Sequence, residues 1–179
     1  MNQMGRSMPR LEARAKVTGR AEYVHNLILP GMLHGKILRS PISRGRIKRI
    51  DTEKAQACEG VEAVFTGQDI RSLIPHPYHG PAFHDQPILA IDEVRHVGEP
   101  VAVVVAADPY VALKALAAIE VEYEKLPAVY DEVEAMTSAV KVHAELKPAA
   151  TFADLKHLVG LKNTNVALHY RLRRGNVER

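Results

Sequence analysis

The sequence predicts an α+β domain, and three adjacent stretches carry that expectation. Residues 101–107 (VAVVVAA) are continuously apolar and rich in valine, the pattern of a strand covered on both faces and central in its sheet. Asp108-Pro109 follows with a capping carboxylate and a proline at the first helical position. It opens a helix through residue 118, with Ala112, Ala115, Leu116 and Ile119 at helical spacing. Residues 119–124 (IEVEYE) then alternate strictly, so Ile119, Val121 and Tyr123 face a core while Glu120, Glu122 and Glu124 face solvent or a basic partner. Strand, helix, strand in this order predicts a crossover between parallel strands. A double-covered strand also predicts that Val103→Asp or Val105→Asp prevents folding, with Glu122→Gln nearly silent.

The other elements follow in chain order. Residues 1–15 are polar and aperiodic, with Gly5 and Pro9, and read as an arm. After the turn dipeptide Pro30-Gly31, residues 32–39 form a strand that stops at Ser40-Pro41, where proline removes a ladder donor. Residues 46–50 form a second strand running into Asp51, whose side chain caps a helix through Cys58, with Gly60 as its stop. Residues 61–66 (VEAVFT) form a third strand, closed by Gly67. From 69 to 85 the pattern gives way to a loop containing Pro75, Pro77 and Pro81. Short strands are expected at 87–90 and 93–96, then the turn Gly98-Glu99-Pro100. Beyond Leu126-Pro127 the pattern gives one short helix at 131–137, weak periodicity to 161, and a half-buried edge strand at 165–173 with Val166, Leu168, Tyr170 and Leu172 on one face.

Composition narrows the function classes. The 179 residues suit one domain with an appended segment. No apolar run approaches the roughly 20 residues of a membrane span, and the first twenty residues hold no leader-like apolar core, so the expected location is cytoplasmic. Cys58 is the single cysteine, which excludes an internal disulfide, a four-cysteine iron-sulfur site and a cysteine zinc finger. Charge is segregated: +9 over residues 1–50, −11 over 51–140 and +5 over 141–179. The basic residues are dispersed among few aromatics, which favours basic ends folded against an acidic middle over a nucleic-acid surface.

The side chains that could carry chemistry are few. His76, His79 and His84 have spacings that metal loops also use, but Asp85 is the only near carboxylate, and the simpler reading is a solvated proline-rich loop. Cys58 beside Glu59 has nothing to lower its thiol pKa and reads as a packed residue. The row Glu120, Glu122, Glu124 reads as the wet face of a strand. No catalytic, cofactor-binding or metal residue is assigned.

A series of short patterns nevertheless resembles a known family. Lys16-Val17-Thr18-Gly19 with Ala21 and Tyr23 comes first, then Leu29-Pro30-Gly31-Met32-Leu33-His34 and Arg39-Ser40-Pro41. Arg46-Ile47, Ile50-Asp51, Gly60-Val61 with Val64, Thr66-Gly67 and Asp69 continue it. Val97-Gly98-Glu99-Pro100-Val101-Ala102, Val121-Glu122-Tyr123-Glu124 and Leu126-Pro127-Ala128-Val129 close it. In order and spacing these resemble the N-terminal α/β-hammerhead domain of the molybdopterin-binding large subunit of the xanthine dehydrogenase and aldehyde oxidase family, the molybdenum hydroxylases. Asn26, and Asn176 after Gly175, stand where the family commonly has aspartate. The resemblance implies an α+β hammerhead fold, a mixed sheet with a few short helices, over residues 16–138. Residues 1–15 would be an arm, and 139–179 a linker and strand leading toward a molybdopterin-binding domain. It implies a scaffold or interface portion of a molybdenum-dependent enzyme that oxidises an aldehyde or N-heterocyclic aromatic. Molybdopterin, [2Fe-2S] clusters and FAD would lie elsewhere in the complex, and the partners would be the remaining large-subunit portion, an iron-sulfur subunit and a flavin subunit. The alternative is a free-standing, non-enzymatic binding module with basic ends.

Overall fold

Val104 is fully buried while Val103 and Val105 beside it are only half-buried, and that contrast organises the larger part of the chain. The computed structural model describes residues 4–80, 83–143, 162–167 and 174–175. The chain divides into two compact units, Met1–Met32 and Leu33–Arg179. In the first, the stretch expected to be a plain arm ends in a short helix, α1 (Ala13–Val17), and a 3-10 turn follows at Val24–Asn26. None of its described residues is buried, and Leu11 and Val24 are almost wholly exposed.

The second unit holds β1 (His34–Arg39), β2 (Gly45–Asp51), α2 (Glu53–Gln56), β3 (Val61–Thr66), α3 (Gly67–Leu73), β4 (Tyr78–His79), β5 (Gln86–Pro87), β6 (Glu93–Val94), β7 (Pro100–Ala106), α4 (Pro109–Leu116), β8 (Glu120–Lys125) and α5 (Glu132–Thr137). One three-stranded sheet has the order β1-β7-β3 and another β6-β2-β8, while β4 and β5 form a separate pair. Each of the five pairings between these strands is antiparallel. The parallel crossover is therefore corrected: β7 and β8 flank α4 but lie in different sheets. The alternation of β8 explains this, since a strand with one acidic face needs a wet side, which a parallel strand covered by helices lacks.

β7 is central in the first sheet, as its apolar run predicts. One of its faces carries Ala102, Val104 and Ala106, all packed with Ala112 and Ala115 of α4 and with Ala55 and Ile119. Asp108 caps α4 by accepting from the backbone N–H groups of Tyr110 and Val111 at 2.7 and 3.2 Å. The opposite face, with Val103 and Val105, belongs to neither buried cluster, so the expectation of cover on both sides is corrected. A second cluster of Ala90, Val94 and Val101 lies under the other sheet, against Ile47, Val121 and Tyr123.

The expected loop from residue 69 begins instead inside α3. Asp69 Oδ2 accepts from the Thr66 backbone N–H at 2.7 Å and from its hydroxyl at 2.6 Å, half of a reciprocal capping box. Gly67, the first residue of α3, lies so close to the Ala90–Ile91 backbone that a Cβ there would sit 2.0 Å from the Ala90 carbonyl oxygen. Of the strand expected at 165–173, Asn165, Val166 and Ala167 are not extended into a ladder. Asn165 acts as an anchor, accepting from Val142 N–H at 2.9 Å and donating to the carbonyls of Ala135 and Val140, both at 2.8 Å. Residues 168–173 lie outside the described residues.

Candidate functional site

The turn before β7 is where polar groups are most deeply placed. Gly98 has φ +89°, which favours glycine, and it lets the chain reverse so that Gly98 N–H donates to the Ser40 carbonyl at 2.8 Å and Ser40 N–H to that of Glu99 at 2.9 Å. Arg39 Nη1 donates to the Gly98 carbonyl at 2.8 Å. This folding-back puts Glu99 in the interior, 3% exposed.

Glu99 ends a chain of alternating charges. Its carboxylate accepts from the Arg95 backbone N–H and faces the Arg95 guanidinium at 3.7 Å. Arg95 in turn lies 3.6 Å from Glu93, and Glu93 lies 3.7 Å from Arg44. Arg44 Nη1 donates to the Pro127 carbonyl at 3.2 Å. Two cations and two anions compensate one another here, tying β6, the β2 entrance and the segment after β8 to the turn. Removing one member leaves a charge without its partner. Glu99→Ala is therefore expected to cost about 3–5 kcal/mol in urea unfolding, and Glu99→Gln distinctly less, because the amide oxygen still accepts from Arg95 N–H. Equal losses for the two variants would refute the assignment.

Beside this chain opens a cleft of about 420 Å³ lined by Arg39, His79, Asp85, Arg95, His96 and His143, among others. Burial, with the Arg95 guanidinium next in importance, holds His143 below the usual imidazole range. The cleft offers donors and acceptors but no nucleophile paired with a base. His79 lines it, whereas His76 and His84 do not, and no group of three metal-ligating side chains occurs among the described residues. Cys58 is half-buried, its Sγ donating to the Lys54 carbonyl at 3.3 Å. One thiol in the turn after α2 does not suit an iron-sulfur cluster, which takes thiolates from four cysteines or two with two histidines.

The acidic row is the outer face of an ion lattice. Glu124 pairs with Arg46 at 3.0 Å and Lys48 at 2.9 Å across the β2–β8 ladder, and Glu120 with Lys54 at 2.5 Å. Lys48, followed by Arg46, holds the Glu124 carboxyl below the usual carboxylate range, and the Glu120 hydrogen bond raises Lys54. The Glu124 pairs join the basic first fifty residues to the acidic middle, as the charge segregation predicts for that end, while the Lys54–Glu120 pair lies within the middle itself. Sequence reasoning missed the Arg44–Glu93–Arg95–Glu99 chain. The available signal was a carboxylate placed between a glycine turn and the most apolar strand.

A family model described as the aldehyde oxidase and xanthine dehydrogenase a/b hammerhead domain matches residues 18–127. The 6-hydroxypseudooxynicotine dehydrogenase complex subunit gamma of Paenarthrobacter nicotinovorans is 33% identical over 177 residues, covering 87% of this chain and 22% of that protein. The carbon monoxide dehydrogenase large chain of Afipia carboxidovorans is 42% identical over 133 residues, covering 74% of this chain and 16% of that one. Among solved structures, quinoline 2-oxidoreductase from Pseudomonas putida 86 superposes with a TM-score of 0.68 at 39% identity, over 77% of this chain and 18% of that chain. The chain thus spans about a fifth or less of the length of these relatives.

Proposed function

Because the chain belongs to the aldehyde oxidase and xanthine dehydrogenase family, as its α/β-hammerhead domain, we propose that it is the scaffold and interface portion of a molybdenum-dependent hydroxylase. The substrate class is an aldehyde or an N-heterocyclic aromatic. The hammerhead occupies residues 16–138, preceded by an arm at 1–15 and followed by a linker at 139–179. The observation that carries the scaffold role is the Arg44–Glu93–Arg95–Glu99 chain, which ends in the buried carboxylate of Glu99. Its charges compensate one another and it holds backbone, with the Nε atoms of Arg44 and Arg95 buried without a hydrogen-bond partner, so its carboxylates are engaged in structure. Molybdopterin, iron-sulfur clusters and FAD belong to the remaining large-subunit portion, an iron-sulfur subunit and a flavin subunit. No residue of this chain is catalytic or holds a cofactor or metal. The complex is cytoplasmic; among the described residues no helix is long and apolar enough to cross a membrane.

Affinity purification of the full chain from its source, followed by molybdenum, iron and flavin assays, tests this. All three should co-purify in fixed ratios with larger chains, and the isolated 179-residue chain should carry none. A stoichiometric molybdenum signal from the isolated chain would overturn the assignment. Recovery of the chain alone, with no oxidoreductase partner, would favour the free-standing module instead.

A further inference from the structure

The residues that follow α5 pass beside the charge chain. Ser138 ends the helix; its hydroxyl accepts from the Val140 N–H at 3.1 Å, and its carbonyl accepts from the Lys141 ammonium. Asn165, far along the sequence, ties the same stretch down: its Oδ1 accepts from Val142 N–H at 2.9 Å, and its amide donates to the carbonyls of Ala135 and Val140. Val142 borders two openings. It lines the 420 Å³ cleft together with Arg95, Glu99 and His143, and a smaller one of about 240 Å³ together with Arg44, Arg95 and Tyr130. Residues 138–143 thus lie across Arg95, whose Nε is buried without a hydrogen-bond partner. Apart from the exposed Ala139, all six are half-buried.

We propose that residues 138–143 are a pH-sensitive strap, closed across Arg95 while the His143 ring is neutral and released when that ring takes up a proton. Burial and the Arg95 guanidinium oppose a proton on the ring, whereas Asp85, Glu99 and Glu93 favour one. Two of these three carboxylates, Glu93 and Glu99, are already compensated by Arg44 and Arg95. Arg39, His79 and His96 line the same cleft, and each adds repulsion when it is charged. Proton uptake in place sets an imidazolium against a guanidinium in a half-buried cleft; in the released strap the same charge is hydrated. The closed form therefore binds the proton less well than the released form. Closure is favoured above about pH 6.5, where a free imidazole is neutral, and is lost as the pH falls below it. Asn165 is the part that holds the strap, and His143 is the part that lets it go.

Amide hydrogen exchange of the full chain tests this, read as a protection factor so that the pH dependence of the exchange chemistry divides out. An ordinary imidazole is about nine-tenths protonated at pH 5.5, so protection of the Val142 amide should fall severalfold, by about tenfold at most, between about pH 7.5 and 5.5. The Ala112 amide, bonded to the Asp108 carbonyl at 3.1 Å in α4, should keep its protection. His143→Gln retains a polar side chain without the titration and should make Val142 protection independent of pH. Asn165→Ala should lower that protection at both pH values and return the His143 NMR titration to the ordinary imidazole range. Constant Val142 protection in the wild-type chain would overturn the proposal, as would a His143 titration in the ordinary range there. An equal fall in His143→Gln would overturn it by assigning the effect to Asp85, His79 or His96, and a parallel fall at Ala112 by assigning it to unfolding of the whole domain. These readouts need no partner chain, so loss of the strap leaves the proposed function standing.

Discussion

The full chain carrying Val104→Asp is expected to show no cooperative unfolding transition, while Val103→Asp retains one. Val104 is fully buried against α4. Losing its apolar surface costs about 1.5–3 kcal/mol, and a carboxyl without a hydrogen-bond partner adds roughly 2–7 kcal/mol. Together these approach or exceed the total stability of about 5–15 kcal/mol typical of a domain. At residue 103 the side chain points to the open face, so the new carboxylate reaches water and the loss is confined to modest apolar contact. The check is thermal melting followed by circular dichroism. Comparable melts for Val104→Asp and wild type would show that the buried face of β7 has been assigned to the wrong residues. The same contrast revises the outcome that the valine run alone predicts for residues 103 and 105.

Gly67→Ala is the second large effect. The added Cβ would stand 2.0 Å from the Ala90 carbonyl oxygen, 2.6 Å from its carbon and 2.8 Å from Ile91 Cα. All three are backbone atoms, so relief requires moving α3 away from the 90–91 segment, which itself contributes Ala90 to the second cluster. Overpacking of this kind costs about 3 kcal/mol, a fall of roughly 6–12 °C in Tm for a chain of this size. Gly35→Ala is the matched control, since its Cβ makes only an ordinary contact with Val103 Cγ2 at 3.9 Å and should shift Tm little. A Gly67→Ala variant as stable as that control would refute the close approach.

What the sequence discloses depends on whether a pattern is local. Asp108-Pro109 and the Ile119, Val121, Tyr123 alternation are complete within a few residues, and both elements occur where expected. The 101–107 run discloses a central strand but conceals its orientation. Period two is visible only when the two faces differ in polarity, and valine at 103, 104 and 105 removes that difference. The short helix α3 was hidden by the prolines after it, although Thr66 and Asp69 have capping-box spacing. In the Arg44, Glu93, Arg95 and Glu99 chain three residues lie within seven positions, but Arg44 joins them from 49 positions upstream, so no short window of sequence contains all four. His76, His79 and His84 illustrate the converse: proximity along the chain that the fold does not turn into a shared site.

The strand order has a consequence for synthesis. β1 and β3 do not pair with each other; both wait for β7, and His34 meets Ala106 only across 71 residues of intervening sequence. β2 likewise waits for β6 and β8. A nascent chain therefore exposes its first three strands unpaired until the second half emerges, roughly 4–14 s at ordinary elongation rates. Closing such distant pairs makes folding slow in its own right. During translation these unpaired strands are an aggregation hazard and a target for chaperones, and a ribosome stalled before residue 100 holds a polypeptide with no large sheet at all.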